Sequence, residues 1–207
     1  MNKCLRIRGL AMAGLGAILG VGLMAQPATA QLGNILTAPK TLVDRMIEAR
    51  SAEDIAKDND IVLKVNGVMA DLGTIRASTR IYEQRLLVTG LFDDRRTYDR
   101  FEKGVRAIKG VKKLYWHVAF MTPADKAKNE KTMIDWPDAL AMETKAEARL
   151  IGTAGVADVN FRVASDAFAT VYLLGRARSQ EERTKAVARV RDGEGVKKVV
   201  DYVEVRP

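Results

Sequence analysis

The chain of 207 residues has room for one large domain or two small ones, because domains usually run to about 100–150 residues. Its composition, 47% hydrophobic and 29% charged with a mean hydropathy of −0.12, argues against global disorder and against a polytopic membrane protein. The 34 basic and 26 acidic residues give a net charge of +8.

Residues 1–30 have the pattern of a cleavable secretory signal peptide. The basic residues Lys3, Arg6 and Arg8 precede an apolar stretch, and Ala28-Thr29-Ala30 supplies small residues for cleavage. The apolar stretch is about 16 residues long, shorter than the about 20 that a membrane-spanning helix needs, which leaves an uncleaved anchor as the weaker alternative. Removal of the three basic residues would lower the net charge from +8 to +5, which is mild for a protein that binds nucleic acid.

The position of the only cysteine bears on lipidation. Cys4 lies ahead of the apolar stretch, whereas a bacterial lipoprotein carries its acylated cysteine at the cleavage point. A mature chain that begins at Gln31 would contain no cysteine and therefore no disulfide. We expect a periplasmic protein that is not a lipoprotein.

Residues 31–54 form a leader segment before the first predicted domain. Leu42–Ile55 is weakly amphipathic, which is compatible with a short helix packed across the first domain or with a mobile leader.

Residues 55–121 are predicted to form a first domain of five elements. Its second helix has one apolar stripe of Tyr98, Phe101, Val105 and Ile108 at spacings of three and four, and Gly110 ends it. The five elements in chain order are the helix Asp60–Met69, the strand Ile75–Tyr82, the strand Leu86–Gly90 closed by glycine, the striped helix, and the strand Val111–Met121.

Residues 122–136 are predicted to be a linker, because they carry Pro123 and mixed charges. Residues 137–207 then repeat the pattern of the first domain. Ser179 and Glu182 form the sequence pattern of a capping box at the second helix of this unit. Its other predicted elements are the helix Leu140–Ile151, the strands Val159–Ser165 and Val171–Gly175, and the strand Val196–Val205 after Gly195.

The two units match without a gap at one constant offset. Leu86–Val118 aligns with Val171–Val203, so that Gly90 falls on Gly175 and the run Gly-Val-Lys-Lys at 110–113 falls on the same run at 195–198. We call the shift from Gly90 to Gly175 the repeat offset. It predicts an α+β fold of two tandem αββαβ domains, each a three-stranded mixed sheet with two helices on one face. Open sheet edges would let the two domains pack on each other or let the chain dimerise.

The element order, the glycine-closed strands and the Gly-Val-Lys-Lys run resemble the BON domain, a small secreted bacterial module. The segment Val171-Tyr172-Leu173-Leu174-Gly175-Arg176-Ala177 is especially similar to its central strand. The resemblance covers about residues 55–121 and 137–206, the layout of tandem BON proteins of the bacterial envelope, both periplasmic and lipoprotein. It implies an adaptor or phospholipid-binding role with no catalytic residues.

Few residues could carry chemistry. His117 is the only histidine and lies on an alternating strand, which favours a half-exposed strand residue over a catalytic base or metal ligand. The pairs Asp93–Asp94 and Asp58–Asp60 could suggest acid/base work, but the first follows a strand and precedes a helix, the position of a helix cap. We expect no enzyme, no metal and no cofactor.

The surface carries more information. Basic residues cluster on the second helix of each unit; a solvated face is the simpler interpretation, and binding of anionic partners is the alternative. Trp136, beside lysines of the linker, suits a membrane–water boundary, although a packing role in the linker is slightly favoured. The candidate lipid-binding residues are Trp136, Lys126, Lys128, Lys131 and Arg149.

The leading hypothesis is a non-enzymatic periplasmic protein that binds anionic phospholipid at a membrane surface and supports envelope integrity, without nucleic acid as a partner. The alternative is a soluble stress-response adaptor or chaperone that binds client proteins. Trp116 and Tyr115 alternate on one strand, so we expect one of them in the core and the other in a groove between domains.

Overall fold

The computed structural model describes residues 48–207. The predicted signal peptide 1–30 and residues 31–47 of the predicted leader lie outside the described residues. No helix within residues 48–207 is both long and apolar enough to cross a bilayer.

The described residues contain five α-helices and two three-stranded mixed sheets, an α+β fold consistent with two domains of the αββαβ type. The first half consists of α1 (Ala52–Asp71), β1 (Ala77–Tyr82), β2 (Arg85–Phe92), α2 (Arg95–Arg106) and β3 (Lys113–Phe120). The connection holds α3 (Pro123–Asn129) and a short 3₁₀ turn (Glu130–Thr132). The second half consists of α4 (Trp136–Ile151), a 3₁₀ turn (Asp158–Asn160), β4 (Phe161–Ser165), β5 (Thr170–Ala177), α5 (Gln180–Arg191) and β6 (Lys198–Val205).

Several predicted bounds are wrong, and caps explain most of the differences. The first helix begins at Ala52 and not at Asp60, because the Ser51 side chain accepts a hydrogen bond from the Asp54 N–H. The described part of the leader is residues 48–54, of which 48–51 are not helical and 52–54 belong to the first turn of α1. The predicted linker contains α3, which begins with Pro123 after the capping residue Thr122. Trp136 belongs to the first turn of α4 and not to the linker.

The predicted strand ends at the two glycines and the predicted capping box at the start of α5 are also wrong. Gly90 and Gly175 do not close their strands, since β2 continues to Phe92 and β5 to Ala177. A Cβ at Gly90 would lie 2.6 Å from the Arg76 carbonyl oxygen, so the close approach of β1 demands glycine there. Ser179 does cap α5, but the Glu182 carboxylate accepts from the N–H groups of Ala157 and Arg178 rather than completing a capping box.

The strand order is β1-β2-β3 in the first sheet and β4-β5-β6 in the second. In each sheet the first pair of strands is antiparallel and the second pair is parallel. The repeat offset is confirmed, because it carries both bounds of β2, α2 and β3 onto those of β5, α5 and β6. The loop hydrogen bond from the Lys112 N–H to the Gln84 carbonyl has its counterpart, at the same offset, from Lys197 to Ala169.

Both helices of each half cover one face of its sheet, as predicted. In the first half Ile61, Phe101 and Val105 from the helices meet Leu86 and Val88 of the central strand. The second half has the equivalent core, formed by Ala146, Ala186, Val190, Val171 and Leu173. Each half therefore buries its own apolar layer between helices and sheet.

The other faces of the two sheets pack against each other. A shared layer between the sheets consists of five buried residues, Tyr82, Leu87, Ala164, Tyr172 and Leu174. Trp116 packs on the core of the first half, while its neighbour Tyr115 stacks on Tyr202 across the layer with ring centroids 3.9 Å apart. The prediction for this residue pair is confirmed. The two halves thus meet through sheet faces, not through the sheet edges.

The two sheets face each other with β1 and β4 running in opposite directions. Ser78 donates to Glu143, which also accepts from the N–H of Ser165, at one end of the pair. At the other end, the Tyr82 hydroxyl donates to the Asn160 side-chain oxygen. The turn between β1 and β2 and the turn between β4 and β5 therefore lie at opposite ends of the molecule.

A buried carboxylate on the first helix of each half holds the strand hairpin. Asp58 accepts hydrogen bonds from the N–H groups of Glu83 and Gln84 at 2.9 and 2.7 Å, and from Arg50 at 2.9 Å. Glu143, its counterpart at the repeat offset, accepts from Arg80 and Ser165. Burial raises the pKa of Glu143, and the guanidinium of Arg80 opposes that shift.

The substitution Asp58→Asn tests the role of the first carboxylate. All of its partners are donors, so an amide NH₂ would face N–H groups in a buried site, and we expect a loss of about 2–4 kcal/mol in the free energy of unfolding. Asp60→Asn is the matched control, because Asp60 is exposed and its one salt bridge within residues 48–207 is with Lys64. Urea unfolding measures both; equal stability of the two variants would contradict this role.

Candidate membrane-binding site

His117 lies in the layer between the sheets. Its Nε2 is 2.8 Å from the Tyr202 hydroxyl, and its ring centroid is 4.2 Å from that of Tyr172. The side chain is half-buried as predicted, but its surroundings are the other half of the molecule rather than solvent alone. Burial lowers the pKa of His117. No group of three or more histidine, cysteine, aspartate or glutamate residues within 48–207 is placed to hold a metal ion.

The two carboxylate pairs have structural partners. Asp94 caps α2 by accepting from the Thr97 N–H at 2.7 Å, as predicted. Asp93 pairs with Lys126 at 2.9 Å and with Arg76 at 3.2 Å. In the second pair, Asp58 holds the hairpin and Asp60 pairs with Lys64. Each of the four carboxylates therefore has a structural partner within residues 48–207.

The basic helix faces are partly neutralised. On α2, Arg95 pairs with Asp99 and Arg106 with Glu102 at spacings of four residues. On α5, Lys185 pairs with Glu181, and Arg183 pairs with Asp201 of the neighbouring strand. Paired cations contribute less to the field that attracts an anionic surface. The exposed cations of α2 that form no salt bridge within residues 48–207 are Arg96, Arg100 and Lys103.

The five predicted lipid-binding residues do not form one cluster. Lys126 and Lys128 lie on α3, Lys131 lies in the following 3₁₀ turn, and Trp136 begins α4. Arg149 lies near the other end of α4, about 20 Å from Trp136 at 1.5 Å per residue. The lysines and the tryptophan thus share one region, and Arg149 is remote from it.

Apolar side chains are exposed where α4 begins. Leu140 is 40% exposed and lies one helical turn after the half-buried Trp136. Phe168, 38% exposed, lies in the turn between β4 and β5, and the hydrogen bond from the Ile134 N–H to the Ala167 carbonyl (2.9 Å) joins this turn to the chain before α4. We call Trp136, Leu140 and Phe168 the apolar end.

Lysines surround the apolar end. Lys197 Nζ donates to the Thr132 carbonyl at 2.7 Å, and its backbone N–H bonds to Ala169, so it lies between the 3₁₀ turn and the β4–β5 turn. Lys198 is the Cα partner of Thr170 at the same end of the sheet, and both lysines are exposed. Lys131 lies in the 3₁₀ turn, next to Thr132, which accepts the hydrogen bond from Lys197.

Acidic residues at this end are partly engaged in the fold. Asp166 is buried and accepts hydrogen bonds from the N–H groups of Phe168 and Thr170 and from the Tyr172 hydroxyl, while the exposed Asp135 caps α4. Glu130 and Asp138 are the other exposed carboxylates here. Lysine side chains are longer than aspartate side chains, so their ammonium groups can extend past the apolar residues toward a surface.

Leu140, Phe168 and Lys197 were not among the site residues predicted from the sequence. They lie far apart in the chain and come to the same end of the fold because backbone hydrogen bonds join the β4–β5 turn to the segment before α4 and to Lys197. The available signal was an aromatic residue in the short turn Asp166-Ala167-Phe168-Ala169, where polar residues are usual.

A comparison with models of protein families finds a match in the second half of the chain. The family model of the BON domain matches residues 138–207. These residues form a BON domain. The BON family is associated with phospholipid binding in the cell envelope. Leu140 and Phe168 of the apolar end lie within the matched residues, and Trp136 lies two residues before them in the first turn of α4. The match does not extend over the first half of the chain.

Other similarities cover more of the chain. An uncharacterized protein in the gshII 5′ region of Anaplasma centrale is 27% identical over 150 residues, which is 72% of this chain and 95% of that protein. Two structures of CdsD, a structural protein of the type III secretion system of Chlamydia trachomatis, one of them its C-terminal domain, are 12% identical with a TM-score of 0.29. The alignments cover 72% of this chain and 93% and 98% of those chains.

The lowered pKa of His117 predicts a pH dependence of stability. The folded state favours the neutral imidazole, so His117 contributes stability that is complete above its ordinary pKa of 6.5 and is lost as the pH falls through the lower folded-state pKa. We expect His117→Gln to flatten the fall in unfolding free energy over that range. Urea unfolding from about pH 5 to 7.5 measures it, and parallel pH curves for the variant and the wild type would refute the prediction.

Proposed function

We propose that the protein is a non-enzymatic periplasmic protein that binds anionic phospholipid at a membrane surface through the apolar end. The observation that carries the proposal is the grouping of Trp136, Leu140 and Phe168, exposed or half-buried, inside a border of lysines. Insertion of such side chains among lipid headgroups removes apolar surface from water, and the lysines can meet the phosphates.

The burial of apolar surface and the charge would contribute comparable amounts of binding free energy. A buried aromatic or leucine side chain is worth about 1.5–3 kcal/mol, and each lysine near an anionic surface about 1 kcal/mol. Three apolar residues and a few lysines thus suffice for a reversible attachment. The predicted signal peptide supports export, and the predicted absence of an acylated cysteine makes such a direct attachment useful.

The proposal includes the first half as a second domain of the same family. The support is the repetition of β2, α2 and β3 at the repeat offset, with a buried carboxylate, Asp58 or Glu143, at the same place in both halves. The first half would then orient the BON domain through the shared layer between the sheets and support envelope integrity without contacting lipid itself.

Loss of apolar contact is tested with Phe168→Ser and Trp136→Ala. We expect each variant to bind about tenfold more weakly to vesicles of mixed phosphatidylglycerol and phosphatidylcholine, because each loses one inserted side chain. Leu63→Ser is the matched control, since Leu63 is 67% exposed on α1, away from the apolar end. Co-sedimentation measures the bound fraction. Unchanged binding of both variants would exclude the apolar end as the site.

Charge is tested with Lys128→Glu. The reversal changes the charge by two at an exposed position, so we expect a loss of about 2 kcal/mol of binding to the anionic vesicles at low salt. Lys103→Glu on α2 is the control. If the wild type binds vesicles of phosphatidylcholine alone equally well, the anionic preference is wrong. If no vesicle retains the protein and it suppresses aggregation of a client protein, the adaptor or chaperone function replaces the lipid function.

A further inference from the structure

The first half carries a cleft at the opposite end of the molecule from the apolar end. It has a volume of about 320 Å³ and lies between α1, the β1–β2 turn and the loop that joins α2 to β3. We propose that this cleft binds a phosphate-bearing anion. Its lining residues are Lys57, Asp60, Ile61, Gln84, Lys109, Gly110 and Lys112.

Three lysines from two separate segments reach this cleft. Lys109 and Lys112 lie in the loop before β3, and neither ammonium group has a salt bridge or hydrogen bond in residues 48–207. Among the described residues, Lys57 forms its salt bridge with Glu53, one turn away on the exposed face of α1, and such an interaction is weak in water. A multivalent anion in the cleft would therefore meet cations that it does not have to detach from buried partners.

The frame of the cleft is fixed. The Gln84 side chain donates to Asp58 at 2.9 Å, and the Gln84 carbonyl accepts from the Lys112 N–H at 2.9 Å. Gly110 has a φ of +94°, which allows the loop to turn beside Ile61. Because Asp58 and the β1–β2 turn hold the loop, the two loop lysines are presented at a constant spacing, which reduces the ordering cost of binding.

The repeat conserves only one of the three lysines, since Lys112 corresponds to Lys197. At the equivalent positions of the second half, Met142 replaces Lys57 and Glu194 replaces Lys109. Met142 packs on the core of the second half, and its methyl group lies close to Gly195, the counterpart of Gly110. The same place in the fold is thus filled with an apolar side chain in one half and left open and cationic in the other.

The cleft favours phosphate over a simple carboxylate ligand. Asp60 lies at its border and is held by Lys64 at 2.5 Å, so a ligand must bring enough charge to outweigh this carboxylate. A phosphate group with its several acceptor oxygens can bridge lysines that come from different elements, which a single carboxylate does less well. The phosphate group belongs to a soluble phosphorylated molecule or to a lipid headgroup. Anion binding in this cleft does not depend on membrane binding by the apolar end.

The test compares the wild type with the double variant Lys109→Ala, Lys112→Ala by isothermal titration calorimetry at low salt. One arm uses inorganic pyrophosphate and the other uses monomeric dihexanoyl phosphatidylglycerol. We expect the double variant to bind at least tenfold more weakly in the arm in which the wild type binds, as expected for the loss of two charge contacts. The control is the double variant Arg100→Ala, Lys103→Ala, which removes two exposed cations of α2 outside the cleft and should retain wild-type affinity.

The outcomes are distinct. Binding in the pyrophosphate arm identifies a soluble phosphorylated ligand, and binding only in the second arm identifies a headgroup. Circular dichroism checks that the exposed substitutions leave the fold intact. The proposal is overturned if the wild type binds neither probe, or if the cleft variant and the control variant lose affinity equally. Trp136→Ala should bind pyrophosphate like the wild type, which separates this site from the apolar end.

Discussion

The packing of two sheet faces against each other is the constraint on which the described structure depends. A three-stranded sheet with helices on one side still has a second face, and here each sheet covers that face of the other. Tyr82 and Leu87 of the first half and Leu174 of the second half are buried together in the layer that the two sheets share. Some polar groups of this layer find partners across it: the Arg85 Nη1 and Nη2 groups donate to the carbonyls of Tyr202 and Gly175, whereas the buried Arg85 Nε has no hydrogen-bond partner within residues 48–207.

The opposed directions of β1 and β4 separate equivalent parts of the two halves. The β1–β2 turn, with the lysine-lined cleft, lies at one end, and the β4–β5 turn, with Phe168, lies at the other. A substitution at one of two positions related by the repeat offset therefore changes one end of the molecule and leaves the other end unchanged. Lys57 and Met142 illustrate this, because one borders an open cleft and the other fills the corresponding space.

The periodic features could be predicted from the sequence and the contacts between the halves could not. The stripe of Phe101 and Val105, the caps Asp94 and Ser179 and the repeat offset are local or repeated signals, and the structure confirms them. The packing of one sheet on the other could not be predicted from the sequence. Arg80, Arg85 and His117 alternate with apolar residues, a pattern that indicates a sheet face exposed to solvent. Of the apolar end, Trp136 was among the residues proposed from the sequence, whereas Phe168 could be placed there only through a contact between distant segments.

The chain joins the two halves at both ends of the sandwich. Residues 122–135 connect them at the apolar end, and the segment before α1 crosses to the second half at the other, where Ala49 donates to the Asn160 side chain at 2.7 Å and accepts from Arg176. A peptide bond broken in α3 would therefore leave the shared layer and the contacts of Ala49 in place, since none of them passes through that segment. The covalent connection in α3 and the packing of the two halves are independent features of this fold.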